Sequence, residues 1–206
     1  IGGANMDAPL VSVDKSGRLG IGTTSPDTLL DVSSVNRGAT APTIRITNTF
    51  GTGDWSGDTN DLGRFEFFTD DPSGNAPYTL GHIAIKNDFT SGTPTLPSGA
   101  MIFATTTYNA SGGATERMRI TSTGEVGIGT NSPDLNLHLF ANDTSGKQFM
   151  IDQDSTGDAV MSFRLTGVSE YTMGIDNSDG DKFKIANSGT VGTATRMTID
   201  SSGRVG

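Results

Sequence analysis

No cysteine occurs in the 206 residues. Disulfides and thiolate chemistry are therefore excluded, and stability has to come from packing or from association of chains. Long apolar runs are missing too, so no segment has the length and hydropathy of a membrane-spanning helix, and no charged-then-apolar leader or lipidation signal is present. Apolar residues do not recur at a 3.6-residue period, which argues against helices and against a coiled coil within this stretch. Basic residues are few and scattered singly. With a net charge of -9 and a pI near 4.5, the chain lacks the clustered Lys and Arg that nucleic-acid binding requires. What remains is a chain with 33% hydrophobic residues and 28 glycines, filled out with Ser, Thr, Asn and Asp. That composition favours short strands and many turns.

The turns are not random. Leu19-Gly20-Ile21-Gly22-Thr23-Thr24-Ser25-Pro26-Asp27 recurs almost unchanged as Val126-Gly127-Ile128-Gly129-Thr130-Asn131-Ser132-Pro133-Asp134, and a third copy opens at Val205-Gly206. Extended outward, the unit runs VSVDKSGRLGIGTTSPDTLLDV from Val11 and MRITSTGEVGIGTNSPDLNLHL from Met118, with MTIDSSGRVG from Met197 matching the first half. The opening residues IGGANMDAPLVSV fit the second half of a further copy. Both ends fall inside the repeat, so the expectation is an internal piece of a longer polypeptide, and the missing leader says nothing about export. The intervals between copies are unequal. A constant connector thus joins inserts of different size, and the expected organisation is connector repeats over 1–32, a larger β knob over 33–117, a connector over 118–139, a smaller β knob over 140–196 and the start of a further connector over 197–206.

Each connector begins with alternating residues (Val11 and Val13, Met118 and Ile120, Met197 and Ile199), the period-two mark of a half-buried strand. Asp14-Lys15-Ser16-Gly17, Thr121-Ser122-Thr123-Gly124 and Asp200-Ser201-Ser202-Gly203 then suit a type I turn closed by a left-handed glycine bulge. A second strand alternates glycine with apolar residues, as in Gly20, Ile21, Gly22 and Gly127, Ile128, Gly129, so one of its faces is bare. A bare strand face is expected where another backbone lies close, and the expected neighbour is a second chain; the alternative is a kinked hairpin within one chain. Pro26 and Pro133 end this strand, and Leu30 with Val32, or Leu137 with Leu139, restart the alternation toward the next knob. No helix signal follows the glycines, so a phosphate-cradling loop is rejected.

In the larger insert the alternating stretches are Thr43–Thr47, Arg64–Phe67, His82–Lys86 and Ala100–Ala104; in the smaller they are Gln148–Ile151, Val160–Leu165, Tyr171–Ile175 and Lys182–Ile185. Four-stranded units with one apolar face are marginal alone, so packing on another sheet or on symmetry mates is expected to complete each core. Two acidic strings, Asp152–Asp158 and Asp176–Asp181, resemble calcium loops, the first having Phe163 where an EF-hand needs its bidentate Glu. Both read as turns, with metal binding the alternative. His82 and His138 sit at alternating positions of separate strands and read as structural. Trp55 stands in a Gly- and Asp-rich loop; with Tyr78 or Tyr108 it is the candidate receptor contact, since exposed aromatic rings stack on sugar faces, and the alternative places it as a plug at an interface. No catalytic residue, cofactor or metal ligand is assigned.

The hairpin with its Gly-Ile-Gly-Thr-x-Ser-Pro string resembles the connector of long tail fibres and related virion fibres of tailed bacteriophages, which often end in an intramolecular chaperone of the endosialidase type. ATERMRITSTGEVGIGTNSP looks like the end of one such module, and the stretch from MSFRLTGVSEYTMG to RMTIDSSGRVG looks like another. The resemblance implies an all-β, elongated homotrimer on the virion. It implies a structural role in spacing and presenting host-attachment sites, with identical chains, other fibre or baseplate proteins and a host surface glycan as partners. The alternatives are a glycan-binding adhesin module and, less favoured, a depolymerising tailspike, which asks for a long β-helical body with clustered acids.

Overall fold

The computed structural model describes residues 11–34, 42–48, 61–69, 78–88, 98–107, 113–142 and 149–206. Within them the protein is all-β, with three open sheets and no α-helix. The chain divides into two compact units, Ile1–Val126 and Gly127–Gly206.

The first sheet is the first copy of the repeat: β1 (Val11–Val13), β2 (Leu19–Ile21) and β3 (Leu30–Val32), in that order. β1 and β2 pair antiparallel with Ser12 opposite Gly20, the register that a two-residue turn with a bulge sets. β3, expected as the restart of the alternation toward the next insert, forms beside β2 in parallel, a pairing the alternation did not indicate, with Leu19 opposite Leu30 and Ile21 opposite Val32. Parallel neighbours usually need a crossover of a dozen or more residues; here the chain comes back through Gly22 to Leu29.

β4 (Asp61–Thr69), β5 (Tyr78–Asn87), β6 (Gly99–Thr105) and β7 (Thr115–Ile120) form an antiparallel meander, and β8 (Val126–Ile128) and β9 (Leu137–Leu139) complete the strand order of that sheet. In the second unit β10 (Ala159–Leu165), β11 (Ser169–Asp176), β12 (Lys182–Ala186) and β13 (Thr195–Ile199) form another meander. A 3-10 turn at Asn177–Asp179 joins β11 to β12.

Two expected strands do not form. Residues 42–48, including Thr43–Thr47, join no ladder, and neither do residues 149–151 of the expected Gln148–Ile151 strand. Alternation supplies a face for burial, but a strand also needs a laddered neighbour, and the described residues of these two segments belong to no sheet. Ile44, Ile46, Phe149 and Met150 are consequently exposed. The remaining expected strands all form, several of them longer than the alternation indicated.

Residues opposite one another on antiparallel strands share a face. In the first meander one face carries the row Phe65, Ile83, Phe103 and Met118, with Ile85, Met101 and Ile120 beside it. The other face carries Arg64, Ala84, Ile102 and Arg119, then Glu66, His82, Ala104 and Glu116. Burial runs against the usual order. Ala84 and Ile102 on the ionic face are 2% and 3% exposed, whereas Phe65 and Phe67 on the apolar face are 55% and 63% exposed. Small side chains are sheltered there between long charged ones, whose ends pair with each other: Arg64 with Glu66 at 3.0 Å and Arg119 with Glu116 at 2.6 Å.

The second meander repeats the inversion. Its apolar face holds Met161, Met173, Ile185 and Met197 in one row and Ala159, Ile175, Phe183 and Ile199 in the next, with Phe163 opposite Tyr171. Its polar face, with Thr172, Asp176 and Lys184, is the buried one. The segment from Asn187 to Ala194 closes over it: Val191 is buried there, and Thr172 Oγ1 donates to the Ser188 carbonyl at 2.7 Å.

Candidate functional site

The recurring feature is the joint, and its three copies can be compared atom by atom. In the first, the Asp14 amide donates to the Arg18 carbonyl at 3.0 Å and the Gly17 amide to the Asp14 carbonyl at 3.0 Å. The third repeats this, Asp200 to Arg204 at 3.0 Å and Gly203 to Asp200 at 2.9 Å. In the second, the Thr121 amide donates to the Glu125 carbonyl at 2.9 Å and the Gly124 amide to the Thr121 carbonyl at 3.1 Å. Gly17, Gly124 and Gly203 have φ of 77°, 97° and 79°, as the expected bulge requires. Space is open around each, so these three are glycine for backbone conformation alone.

The first turn residue also clasps the residue four positions on, a link that sequence reasoning missed. Asp14 Oδ1 accepts the Ser16 and Arg18 amides at 2.8 and 2.9 Å, while its Oδ2 takes Arg18 Nε at 2.8 Å. Asp200 does the same with Ser202 and Arg204. The amides of Arg18 and Arg204 are the main reason both carboxyls are held below the ordinary value. In the second copy both partners change together: Thr121 Oγ1 accepts the Glu125 amide at 3.0 Å and donates to the Glu125 carboxylate. The signal was legible, because the strings pair Asp with Arg twice and Thr with Glu once at this spacing. The second turn also meets Asp88, at the end of β5, whose Oδ2 accepts the Ser122 amide at 2.8 Å.

The glycines of the second strand find their neighbour within the chain. A Cβ on Gly20 would lie 2.5 Å from the Thr23 carbonyl oxygen, and one on Gly127 would lie 2.7 Å from that of Thr130. At Gly22 and Gly129 the positive φ of 77° and 78° coincides with a carbonyl, of Ser33 and Phe140, against the position a side chain would take. The expectation of a second chain against this bare face is corrected: the returning segment of the same chain occupies it. Ile21 and Ile128 point their side chains outward, half-exposed. Pro26, within the crossover, is buried and Pro133 half-buried. Thr23 Oγ1 and Thr130 Oγ1 each accept the amide two residues on at 3.1 Å, and the third strand is secured by the Ser33 amide on the Ile21 carbonyl at 2.8 Å, repeated by Phe140 on Ile128 at 2.9 Å. At the end of the described chain, Gly206 exchanges two backbone bonds with Thr198, as the first copy's register demands.

The other candidates fall out separately. Trp55 and Tyr108 lie outside the described residues, and Tyr78 starts β5 opposite Thr69. His138 Nδ1 accepts the Asp134 amide at 3.3 Å, taking the place that Asp31 holds toward Asp27 in the first copy. His82 is opposite Glu66 on the ionic face, its Nδ1 buried with no hydrogen-bond partner. In the second acidic string Lys184 Nζ lies 2.7 Å from Asp176 and 2.6 Å from Asp179, and Lys182 reaches Asp179 at 2.8 Å. Those carboxylates are engaged by ammonium groups and by Ser178, which is the turn reading with a lysine clamp added. Lys182 and then Lys184 hold Asp179 down to about 2, and Asp176 in turn pushes Lys184 up. Among the described residues no group of three or more His, Cys, Asp or Glu is placed to hold a metal ion. No protein-family model matches this chain, and no curated protein sequence matches it.

Proposed function

We propose that this chain is a shaft segment of a virion fibre of the tailed-bacteriophage type, in which a repeated joint spaces β knobs and presents host-attachment sites carried elsewhere on the fibre. The observation that supports it is the joint itself. One backbone solution, with the same turn, the same left-handed glycines and the same returning loop, recurs beside sheets that differ in size and sequence. A part kept constant while its surroundings change suits a mechanical spacer, whose task is to hold one element at a set interval from the next.

The role asks for identical chains assembled as a homotrimer, for neighbouring fibre or baseplate proteins at the ends, and for no cofactor or reaction. Contacts with a host glycan are then weak and repeated, gaining strength from number. The test is hydrodynamic and visual. Sedimentation should give three times the chain mass of 21.4 kDa with the friction of a long particle, and negative-stain images should show rods with periodic swellings. A compact monomer at high concentration would overturn the reading. Release of reducing sugar from a host polysaccharide would replace it with the tailspike, and glycan-array binding by this segment would favour the adhesin.

A further inference from the structure

We propose that the two apolar sheet faces are the surfaces on which copies of this chain meet, each face against its counterpart in the neighbouring copy, leaving the ionic faces outward. This rests on the fibre reading and supplies the contact it needs.

The polar face of each meander carries charged groups partnered within the chain. The ionic face of the first is satisfied by the Arg64, Glu66, Glu116 and Arg119 pairs, and the polar face of the second by the Lys184 clamp and the segment folded over it. Both are open on the side that water opposes. Five large apolar side chains on each remain more than about a third exposed: Phe65, Phe67, Ile83, Ile85 and Met101 on one, and Met161, Phe163, Leu165, Tyr171 and Ile175 on the other. These side chains are roughly half exposed, so of about 150–250 Å² per aromatic side chain only about half is left to bury. Each face then offers on the order of 500 Å² and the two together on the order of 1,000 Å² per copy, against the roughly 800 Å² per partner of a stable interface.

The occupant follows from charge and repetition. A chain with a net charge of -9 repels its own copies except where it carries no charge. The paired rows of both apolar faces contain no Asp, Glu, Lys or Arg. A second copy brings an uncharged counterpart for each face, whereas an unrelated partner would need a separate apolar surface for each. Beside Gly63 the first face also holds a hollow of about 620 Å³, lined mainly by apolar side chains such as Ile46, Phe65, Ile83 and Met101 together with Asn48 and Arg64, where a neighbour's side chains would sit.

The absence of cysteine makes the test direct. Ile83→Cys, Tyr171→Cys and, as an outward control, Lys86→Cys are introduced singly into the whole chain and treated with a short bis-maleimide at micromolar concentration. Expected are covalent dimers from Ile83→Cys and from Tyr171→Cys, none from Lys86→Cys, and no mixed product when the first two variants are assembled together. Phe65→Glu combined with Phe163→Glu should lower the sedimenting mass to that of one chain while the far-ultraviolet dichroism stays β. An oligomer that cross-links through Lys86→Cys and through neither face overturns the assignment and leaves the fibre reading standing. A mixed product between positions 83 and 171 overturns the matching of like faces. An unmodified chain that stays monomeric overturns both.

Discussion

Arg18, Glu125 and Arg204 show how much a single side chain decides at the joint. Each is the residue that the turn's first side chain holds, and its sign is matched to that partner: a cation for Asp14 and Asp200, a carboxylate for Thr121. Asp14→Thr or Arg18→Glu alone should lower the melting temperature, whereas the two together, which copy the second joint, should restore most of the loss. A double-mutant cycle followed by circular dichroism checks this, and purely additive losses would refute the clasp. The glycines divide by cause. Gly17→Ala should cost about 1–2 kcal/mol for the left-handed backbone alone, and Gly17→Asn should cost less because asparagine tolerates that region. Gly129→Ala should cost more than Gly17→Ala in urea unfolding, since its added carbon also meets the Phe140 carbonyl. Of this, the glycine positions were plain in the repeat, but their neighbour was not. A string of Gly-x-Gly says that something is close without saying which chain it belongs to.

At the scale of the element, β11 and β12 are linked by an ionic clamp whose pH dependence has two limbs. Asp176 and Asp179 have folded values below the ordinary 3.8, so their contribution is present above that value and is lost as pH falls, down through about 2 for Asp179. Lys184 has a folded value above the ordinary 10.5, so its contribution is present below that value and is lost as pH rises through the raised one. The melting temperature of the second unit should therefore form a plateau between roughly pH 5 and 10 and fall on both sides. In Lys184→Met the acid limb should shrink, because the main cause of the lowered Asp176 value is removed. An unchanged acid limb in calorimetry would refute the clamp. Strand positions were well marked by alternation in β5, β6, β10 and β12. It misled at residues 42–48 and 149–151 because period two describes a face and not a partner.

For the whole molecule, the balance of faces sets what can be stable alone. The buried apolar side chains of the described residues are mostly alanines, with Ile102 and Val191, while Phe65, Phe67, Phe163 and Leu165 face water. Sheets with an open apolar face need cover, which the proposed meeting of like faces would supply. The whole chain should consequently lose cooperativity as it is diluted, with a melting temperature that rises with protein concentration. A concentration-independent transition would mean that each chain is stable by itself.

The all-β class, the turn type, the recurrence of the joint and most strand positions follow from the sequence alone, because they are set by local rules: glycine conformation, proline, and side-chain period. Three things were settled only in the tertiary structure. The third strand of the joint runs back in parallel, because a few backbone bonds close a loop too short to forecast from spacing. The bare glycine face is filled by its own chain. The residues between the charged side chains are the buried ones, because ion pairs and long aliphatic stems can shelter them where partners lie opposite. That last outcome depends on register across strands, which no periodicity along one strand contains.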